Sequence, residues 1–257
     1  MQHHDLSHAG KAMENGSKKI SEEFGLASES EAVQEYLCLN RDFMYSNYPL
    51  IADEITANLR REKRRMLDLG TGLGSLAREF AKRLPACRLY GIDISGEMLE
   101  EARTINAREK VSNLTFMLSD INCMPFADKT FDCIVSFGVL HHLSTVSKAF
   151  SEIRRVLKEG GEVFLYDLRQ NPPGEMVTEI ADAMPPPQRR AFLESVREGL
   201  DVSYIEEVAK SSGFARYALS YPVYSRATIV KNKSLLQASR FLGKRFNQLL
   251  VMIHLEK

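Results

Sequence analysis

Acidic and imidazole side chains lie in or just after several short apolar runs of this sequence, which suggests that they share one site. These residues are Asp68, Asp93, Asp120, Asp167, His141 and His142. Ionised carboxylates accept hydrogen bonds from hydroxyl and amino groups, and a neutral imidazole can take a proton from a nucleophile near neutral pH. The set could therefore bind a polar ligand, with the histidine pair as candidate general bases.

The first of these acids leads into a glycine-rich stretch, Gly70-Thr71-Gly72-Leu73-Gly74. The apolar run Arg65–Leu69 precedes it and the helix-forming run Leu76–Ala81 follows, so the pattern predicts a strand, a tight turn and a helix. Glycine permits positive φ and lets a ligand approach the backbone, while the N–H groups at a helix N-terminus attract anions. The stretch therefore predicts a nucleotide-binding corner.

Alternating strands and helices must position these residues, and they predict a doubly wound α/β fold with helices on both faces of a mostly parallel sheet. The strand-like runs are Arg65–Leu69, Arg88–Ile94, Leu114–Asp120, Phe131–Phe137 and Glu162–Asp167. Ligands bind beyond the carboxyl ends of such strands, where the acids, the glycines and the histidines would converge. Two later runs, Ala215–Val223 and Arg226–Val230, are joined too closely for a parallel crossover and would close a seven-stranded sheet as an antiparallel pair.

The segments around this core suggest a division of the chain. We expect an N-terminal arm and lid helices at 1–60, the core at 61–168, a helical insertion over the substrate side at 169–200, the rest of the core at 201–232 and an amphipathic helix at 233–257. Tyr36, Tyr45 and Tyr48 of the lid region are candidate substrate contacts or helix-face core. The basic tail helix could pack on the domain, on a second subunit as a homodimer contact, or against a membrane surface.

Composition narrows the partners. Lys+Arg 34 against Asp+Glu 34 gives a formal net charge of +0 over 257 residues, which argues against nucleic acid as a partner. The four cysteines form no CxxC pair, no cluster has metal-ligand spacing, and no apolar run is long enough to cross a bilayer. These features predict a cytoplasmic protein that holds no metal.

The glycine spacing bears on which nucleotide is bound. The dinucleotide fingerprint G-x-G-x-x-G would need glycine at position 75, where this chain has Ser75. Asp93, about 20 residues beyond the glycines, suits the ribose hydroxyls of a dinucleotide and of other adenosine cofactors alike. The predicted antiparallel closing pair also differs from the fully parallel dinucleotide-binding sheet.

Several motifs in register carry a resemblance to a known family. The segments LDLGTGLG, YGIDISGEML, FMLSDINCMPFADKTFDCIVSFGVLHHL and EIRRVLKEGGEVFLYDL resemble motifs of class I S-adenosylmethionine-dependent methyltransferases. The likeness is to the small-molecule branch that includes the ubiquinone/menaquinone-biosynthesis C-methyltransferases. It covers roughly residues 60–168 closely and 200–231 by architecture, and implies a Rossmann-like methyltransferase fold with S-adenosylmethionine as cofactor.

The resemblance also implies roles for individual residues. It places Asp68, Gly70, Thr71, Gly72 and Gly74 around the methionine portion of the cofactor and Asp93 on the ribose. It places Ile94, Met98, Asp120 and Ile121 around the adenine, and Ser136, Phe137 and Leu140 along the path to the sulfonium. Asp167, at the end of the last parallel strand, is a candidate substrate contact.

The function that follows is in-line transfer of a methyl group to a carbon, oxygen or nitrogen nucleophile. His141 and His142 are the candidate catalytic residues, either as a general base or as groups that orient the substrate. Two alternatives remain open: a regulatory or scaffold subunit that binds the cofactor without methyl transfer, and an enzyme that uses S-adenosylmethionine for other chemistry.

Overall fold

A seven-stranded sheet with helices on both faces forms the core of the protein. The structure is a computed structural model and describes residues 29–39, 48–60, 64–221 and 249–257. Its strands are β1 (Arg65–Leu69), β2 (Arg88–Asp93), β3 (Leu114–Leu118), β4 (Phe131–Phe137), β5 (Leu157–Leu168), β6 (Arg216–Ser220) and β7 (Leu250–Glu256). Its helices are α1 (Glu29–Leu39), α2 (Tyr48–Asn58), α3 (Ser75–Arg83), α4 (Gly96–Arg108), α5 (Val146–Val156), α6 (Gly174–Asp182), α7 (Pro186–Arg197) and α8 (Val202–Ser211).

The strand order is β3-β2-β1-β4-β5-β7-β6, so the chain winds outward from β1 in both directions. The first five strands run parallel, and β7 lies antiparallel to both β5 and β6. The predicted fold class, a doubly wound sheet closed by an antiparallel pair, is confirmed. The carboxyl ends of β1 to β5 lie on one edge and collect the residues expected at the site.

The C-terminal strand corrects two predictions about the tail. Residues 250–256, expected in an amphipathic helix, form β7, and β6 therefore pairs with β7. The reason is a period of two at the end of the chain: the side chains of Val251, Ile253 and Leu255 are buried, whereas those of Met252, His254 and Glu256 are half-buried. An interior strand excludes the proposed helical dimer contact over these residues. Residues 226–230 and the rest of the predicted helix, 233–248, lie outside the described residues.

Two apolar layers cover the two faces of the sheet. Helices α2, α3 and α4 pack on one face, with Ile51, Phe80 and Leu99 fully buried there. Helices α5 and α8 pack on the other face, with Phe150 and Ile205 at the centre. This three-layer arrangement buries both faces of the parallel strands and fixes the edge at which their loops meet.

The insertion between β5 and α8 leaves the sheet and returns to it at the same place. The Leu200 N–H donates to the Leu168 carbonyl (2.8 Å), and the Gln170 N–H donates to the Leu200 carbonyl (2.8 Å). Between these points α6 and α7 enclose a small apolar core of their own, which includes Met176 and Phe192. The predicted helical insertion at 169–200 is thus helical, with its base at the carboxyl end of β5.

Length and hydropathy together show that none of the helices in the described ranges could cross a membrane.

Candidate functional site

The glycine stretch forms the predicted turn between β1 and α3. Gly70, Gly72 and Gly74 all have positive φ, at 60°, 50° and 72°. Neighbours also press closely on the outer two: a Cβ on Gly74 would lie 2.4 Å from Phe116 Cζ, and one on Gly70 would lie 2.3 Å from a methyl group of Val139. Backbone conformation and lack of space therefore both require glycine at these positions.

Asp68 lies under this turn as a buried carboxyl group. Thr71 Oγ1 donates a hydrogen bond to its Oδ2 at 2.7 Å. Burial, the largest cause, and the negative charge of Asp93 raise the pKa of Asp68, while hydrogen bonds from Thr71 and the Ala77 N–H lower it; together they bring the pKa from 3.8 to about 7. A group with this pKa changes charge readily when a cation binds beside it.

Asp93 ties the glycine turn to the end of β2. Its Oδ2 accepts a hydrogen bond from the Gly72 N–H at 2.7 Å, and its Oδ1 accepts one from the Ser95 N–H at 2.9 Å. Ser95 in turn caps α4 through the Met98 N–H, as expected from the sequence. A carboxylate has about four acceptor positions, so the predicted contact with ribose hydroxyls is compatible with these bonds.

A buried arginine in α3 was missed by sequence reasoning. Arg78 is 1% exposed, and its Nη1 donates to the Leu73 carbonyl at 2.5 Å. Its Nη2 donates to Ser75 Oγ (3.3 Å), and its Nε lies 3.6 Å from Glu109 Oε1. Arg78 thus fixes the turn from inside the helix. The only signal in the sequence was its place one helical turn after Gly74.

The predicted adenine residues lie around the ends of β2 and β3. Met98 is buried against Leu73 of the glycine turn and Val33 of α1, which brings the first helix onto this side of the site. Asp120 Oδ1 accepts hydrogen bonds from the Asn122 backbone (2.8 Å) and side-chain amide (3.2 Å). Two hydrophobic side chains of this group differ in burial: Ile121 is buried and Ile94 is half-buried. That Asp120 meets an adenine amino group remains a prediction.

A cavity opens between the glycine turn, α2 and the end of β4. It encloses about 270 Å³ of atom-free space, part of it open to solvent, and its lining residues are Tyr48, Asp68, Gly70, Thr71, Leu73, Leu76 and Phe137. Tyr48 meets Phe137 edge to face, with ring centroids 5.4 Å apart. Ser136, directly before Phe137, is buried and donates to the Leu69 carbonyl at 2.9 Å. The structure therefore joins Tyr48, Phe137 and the Asp68 turn in one place.

The structure describes the three tyrosines of the predicted lid region to different extents. Tyr48 lines the cavity, as just described. Tyr36 belongs to α1 by its backbone, but its side chain is outside the description, and Tyr45 lies outside the described residues altogether. The contacts predicted for Tyr36 and Tyr45 therefore stay predictions.

Asp167 and His141 form a buried pair at the carboxyl end of β5. His141 Nδ1 lies 2.5 Å from Asp167 Oδ1, and the side chains are 3% and 0% exposed. The other oxygen, Oδ2, accepts from the N–H groups of Val139 (3.0 Å) and Leu140 (2.6 Å), and Oδ1 also accepts from Leu168 N–H (2.7 Å). Asp167 thus holds the loop after β4 and orients His141, and its predicted contact with the substrate stays a prediction.

His142 is placed differently from its neighbour. Its Nδ1 lies 3.5 Å from Glu198 Oε2 at the end of the insertion, and both side chains are about one-third exposed. The two imidazole rings are 3.9 Å apart between centroids. Leu140, the residue before the pair, is buried and begins the short 3₁₀ turn Leu140–His142. His142 thus links the loop after β4 to the insertion, and His141 links it to the sheet.

The described residues were also searched for a metal site. Within residues 29–39, 48–60, 64–221 and 249–257, no group of three or more His, Cys, Asp or Glu side chains is arranged to hold a metal ion.

Comparisons with known proteins show which family this chain resembles. A family model described as "Methyltransferase domain" matches residues 67–165. The chain is 38% identical over 112 residues to the uncharacterized methyltransferase YcgJ of Bacillus subtilis, covering 44% of this chain and 43% of YcgJ. It is 32% identical over 176 residues to the ubiquinone/menaquinone biosynthesis C-methyltransferase UbiE of Paracoccus denitrificans, covering 61% of this chain and 68% of UbiE.

A solved structure with the same fold extends the likeness over nearly the whole chain. The plantazolicin methyltransferase BamL, in complex with a triazolic desmethylPZN analog and SAH, superposes with a TM-score of 0.70 and 16% identity over 98% of this chain and 99% of BamL. At that identity the match reports the fold. The chain spans less than half of the length of YcgJ and about two thirds of UbiE.

Proposed function

This chain belongs to the class I S-adenosylmethionine-dependent methyltransferases, and we propose that it transfers a methyl group from S-adenosylmethionine to a small-molecule acceptor. The observation that carries the proposal is the cavity between the glycine turn and Phe137, with the His141–Asp167 pair on the adjoining loop. The cofactor half of the site would lie over β1 to β3 and the acceptor half over β4 and β5.

The residues of the cofactor half fit this cofactor. The three glycines hold the turn in a backbone conformation of positive φ that other residues rarely adopt, and Asp68 would supply a carboxylate for an ammonium group. Asp93 stands at the end of β2, where a carboxylate can accept hydrogen bonds from ribose hydroxyls. When bound, S-adenosylmethionine supplies a sulfonium methyl group that is already electrophilic. The chain's task is therefore to align the acceptor and to exclude water, which can contribute roughly 7–11 kcal/mol.

His141 is the proposed proton acceptor on the acceptor side. With Nδ1–H directed at Asp167 Oδ1, the neutral imidazole has its lone pair on Nε2, where it can receive a proton. Asp167 stabilises the imidazolium that would result, and its bonds to the Val139 and Leu140 N–H groups keep the loop in place. A positioned base typically contributes about 10²–10⁴-fold in rate. The methylated atom itself can be carbon, oxygen or nitrogen.

The proposed function is tested by following the methyl group. The purified chain is incubated with S-adenosylmethionine deuterated in its methyl group and with a small-molecule extract. S-Adenosylhomocysteine is measured together with any metabolite that gains the labelled methyl. Methyl transfer predicts equal amounts of the two products. Tight cofactor binding without either product would contradict the proposal and favour a regulatory or scaffold subunit. Cofactor consumption without a methylated product would favour an enzyme that uses S-adenosylmethionine for other chemistry.

Cofactor binding is expected to depend on pH through Asp68. Its raised pKa, about 7, means that the apo site holds a proton at lower pH, which must leave when the cationic cofactor binds. Affinity should therefore fall as pH drops from about 7.5 to about 5.5, by up to roughly tenfold per pH unit. Calorimetry in buffers of different ionisation enthalpy measures the released proton.

The matched control is Asp68→Asn, which can still accept the hydrogen bond from Thr71 but does not titrate. Its cofactor affinity should be weaker at pH 7.5 and nearly flat over the same range. Because folding raises the pKa of Asp68 above its unfolded value, this group should also lower the stability of the apo protein as pH rises from about 4 to about 7. Equal pH dependence in the wild type and the Asn variant would contradict the assignment.

A further inference from the structure

We propose that Arg169 binds an anionic group, a carboxylate or a phosphate, carried by the methyl acceptor. The inference rests on the proposed function, because it assigns a substrate class to the acceptor half of that site. It is carried by a half-buried guanidinium group, two residues after Asp167, that forms no ion pair with a carboxylate in the part of the chain that the structure describes.

The backbone places Arg169 at the acceptor half. Its N–H donates to the Leu249 carbonyl at 3.0 Å and it forms a parallel bridge with Leu200, so the chain stays extended past the end of β5. Side chains two apart on an extended strand point to the same face, about 7 Å from each other. Arg169 thus lies on the same side as Asp167, which holds His141.

The outermost strand, β6, brings an aromatic ring to the same edge. Strand β6 is antiparallel to β7, which is antiparallel to β5, so the ends of β5 and β6 face the same way. Tyr221, directly after β6, is 47% exposed, and the guanidinium carbon of Arg169 lies 5.2 Å from the centre of its ring. Stacking holds the plane of the guanidinium while its edge, which carries the N–H donors, remains available.

Arg169 uses little of its hydrogen-bonding capacity in the structure. Its Nη2 donates to the Asn171 carbonyl at a long 3.5 Å, and its Nε is buried with no hydrogen-bond partner. Among the residues that the structure describes, no carboxylate forms an ion pair with it. Arg83 and Arg155 contrast with it, since carboxylates lie 2.7 Å from each. A guanidinium has five donors in a fork that matches carboxylate and phosphate, so an incoming anion would satisfy it.

The position of Arg169 argues that this anion belongs to the acceptor and not to the cofactor. Asp68 lies in β1 and the glycine turn follows it, and β4 lies between β1 and β5, so the two places are about 10 Å apart at the usual strand spacing. Asp167 of the His141–Asp167 pair precedes Arg169 by two residues in the same extended segment. A negatively charged acceptor anchored by Arg169 would present its nucleophilic atom toward that pair.

Binding of a bare anion tests the inference without knowledge of the acceptor. The full chain is saturated with S-adenosylhomocysteine, and thermal unfolding is measured with inorganic phosphate or acetate against chloride at matched ionic strength. We expect at least one of the two anions to raise Tm by about 2–4 °C, for an anion at roughly ten times its Kd. The preferred anion distinguishes a phosphate-bearing from a carboxylate-bearing acceptor. The shift should vanish in Arg169→Gln and persist in Arg190→Gln, an exposed arginine of α7.

Arg169→Lys keeps the positive charge but removes the forked N–H donors of the guanidinium group. It provides a second variant should Arg169→Gln fail to fold. It should show a reduced shift. Equal shifts in the wild type and both Arg169 variants, or no shift with either anion, would overturn the inference.

A second, independent experiment measures turnover of candidate acceptors, and it can contradict this inference without contradicting the proposed function. Acceptors are offered in pairs that differ by one anionic group, such as phosphoethanolamine against ethanolamine and 4-hydroxybenzoate against 4-hydroxybenzyl alcohol. Preference for the anionic member, with KM raised at least tenfold by Arg169→Gln and kcat changed less, supports the inference. Methylation of neutral members with no effect of the variant overturns it while the proposed function stands. If no acceptor is methylated, the anion-binding result still decides the role of Arg169.

Discussion

Replacement of His141 by alanine is expected to lower kcat by about 10²–10⁴-fold while cofactor affinity stays nearly unchanged. The reason is the division of the site: His141 contacts Asp167 at the end of β5, whereas the proposed cofactor contacts lie at the glycine turn and β2. Turnover is measured as S-adenosylhomocysteine formation and affinity by calorimetry. His142→Ala is the matched control and should cost less, because His142 is 30% exposed and its contact with Glu198 is 3.5 Å long.

Asp167→Asn tests the same pair from the other side. The amide keeps the size of the carboxylate but loses its charge, and it cannot accept at every position where Asp167 now accepts from Val139, Leu140, Leu168 and His141. Turnover should fall, and the acid limb of the pH–rate profile should change in both the Asp167 and the His141 variants. A parallel loss of cofactor affinity and turnover would instead assign both residues to the structure of the loop.

Replacement of Gly74 by alanine is expected to disrupt the cofactor half and to lower stability by roughly 2–5 kcal/mol, from a left-handed non-glycine residue and an overpacked neighbour together. Gly74 has φ of 72°, and the new Cβ would lie 2.4 Å from Phe116 Cζ and 3.1 Å from Arg78 Nη1. Calorimetry should show at least a tenfold loss of cofactor affinity, and thermal unfolding a lower Tm.

Gly96 offers the matched control for this substitution. It begins α4, has no positive φ, and a Cβ there would meet nothing within 4 Å. Gly96→Ala should leave affinity and Tm nearly unchanged. The double variant Gly74→Ala/Phe116→Leu should recover only the part of the loss that comes from the clash, because the backbone conformation stays unfavourable. Full tolerance of Gly74→Ala would contradict the geometry of the turn.

Local patterns predicted most of the cofactor half. The glycine turn, the Ser95 cap and the acids at strand ends depend on short-range backbone chemistry, which a sequence displays directly. They also converge at one edge because parallel strands require it. The placement of Asp68 and Thr71 around one ligand came instead from the family resemblance, and the structure shows the two side chains hydrogen-bonded to each other.

Long-range contacts were harder to foresee. In the tail, Leu235, Leu242 and Leu249 at seven-residue spacing favoured a helix, and this concealed the alternation of Val251, Ile253 and Leu255 in β7. A strand that pairs across a long connection leaves only this short local signal. Asp167 was a candidate substrate contact because it ends the last parallel strand, and only the structure shows the buried hydrogen bonds that it accepts.

The way the insertion is attached to the sheet affects how its sequence and length can change in evolution. Leu168 and Leu200 are hydrogen-bonded neighbours, so the chain between them begins and ends at one point of the sheet. The entropy of closing such a loop grows only slowly with its length, by about 0.6 kcal/mol for each doubling. Lengthening, shortening or replacing α6 and α7 therefore costs the sheet little, and evolution can exchange this part of the chain while the proposed cofactor half stays as it is.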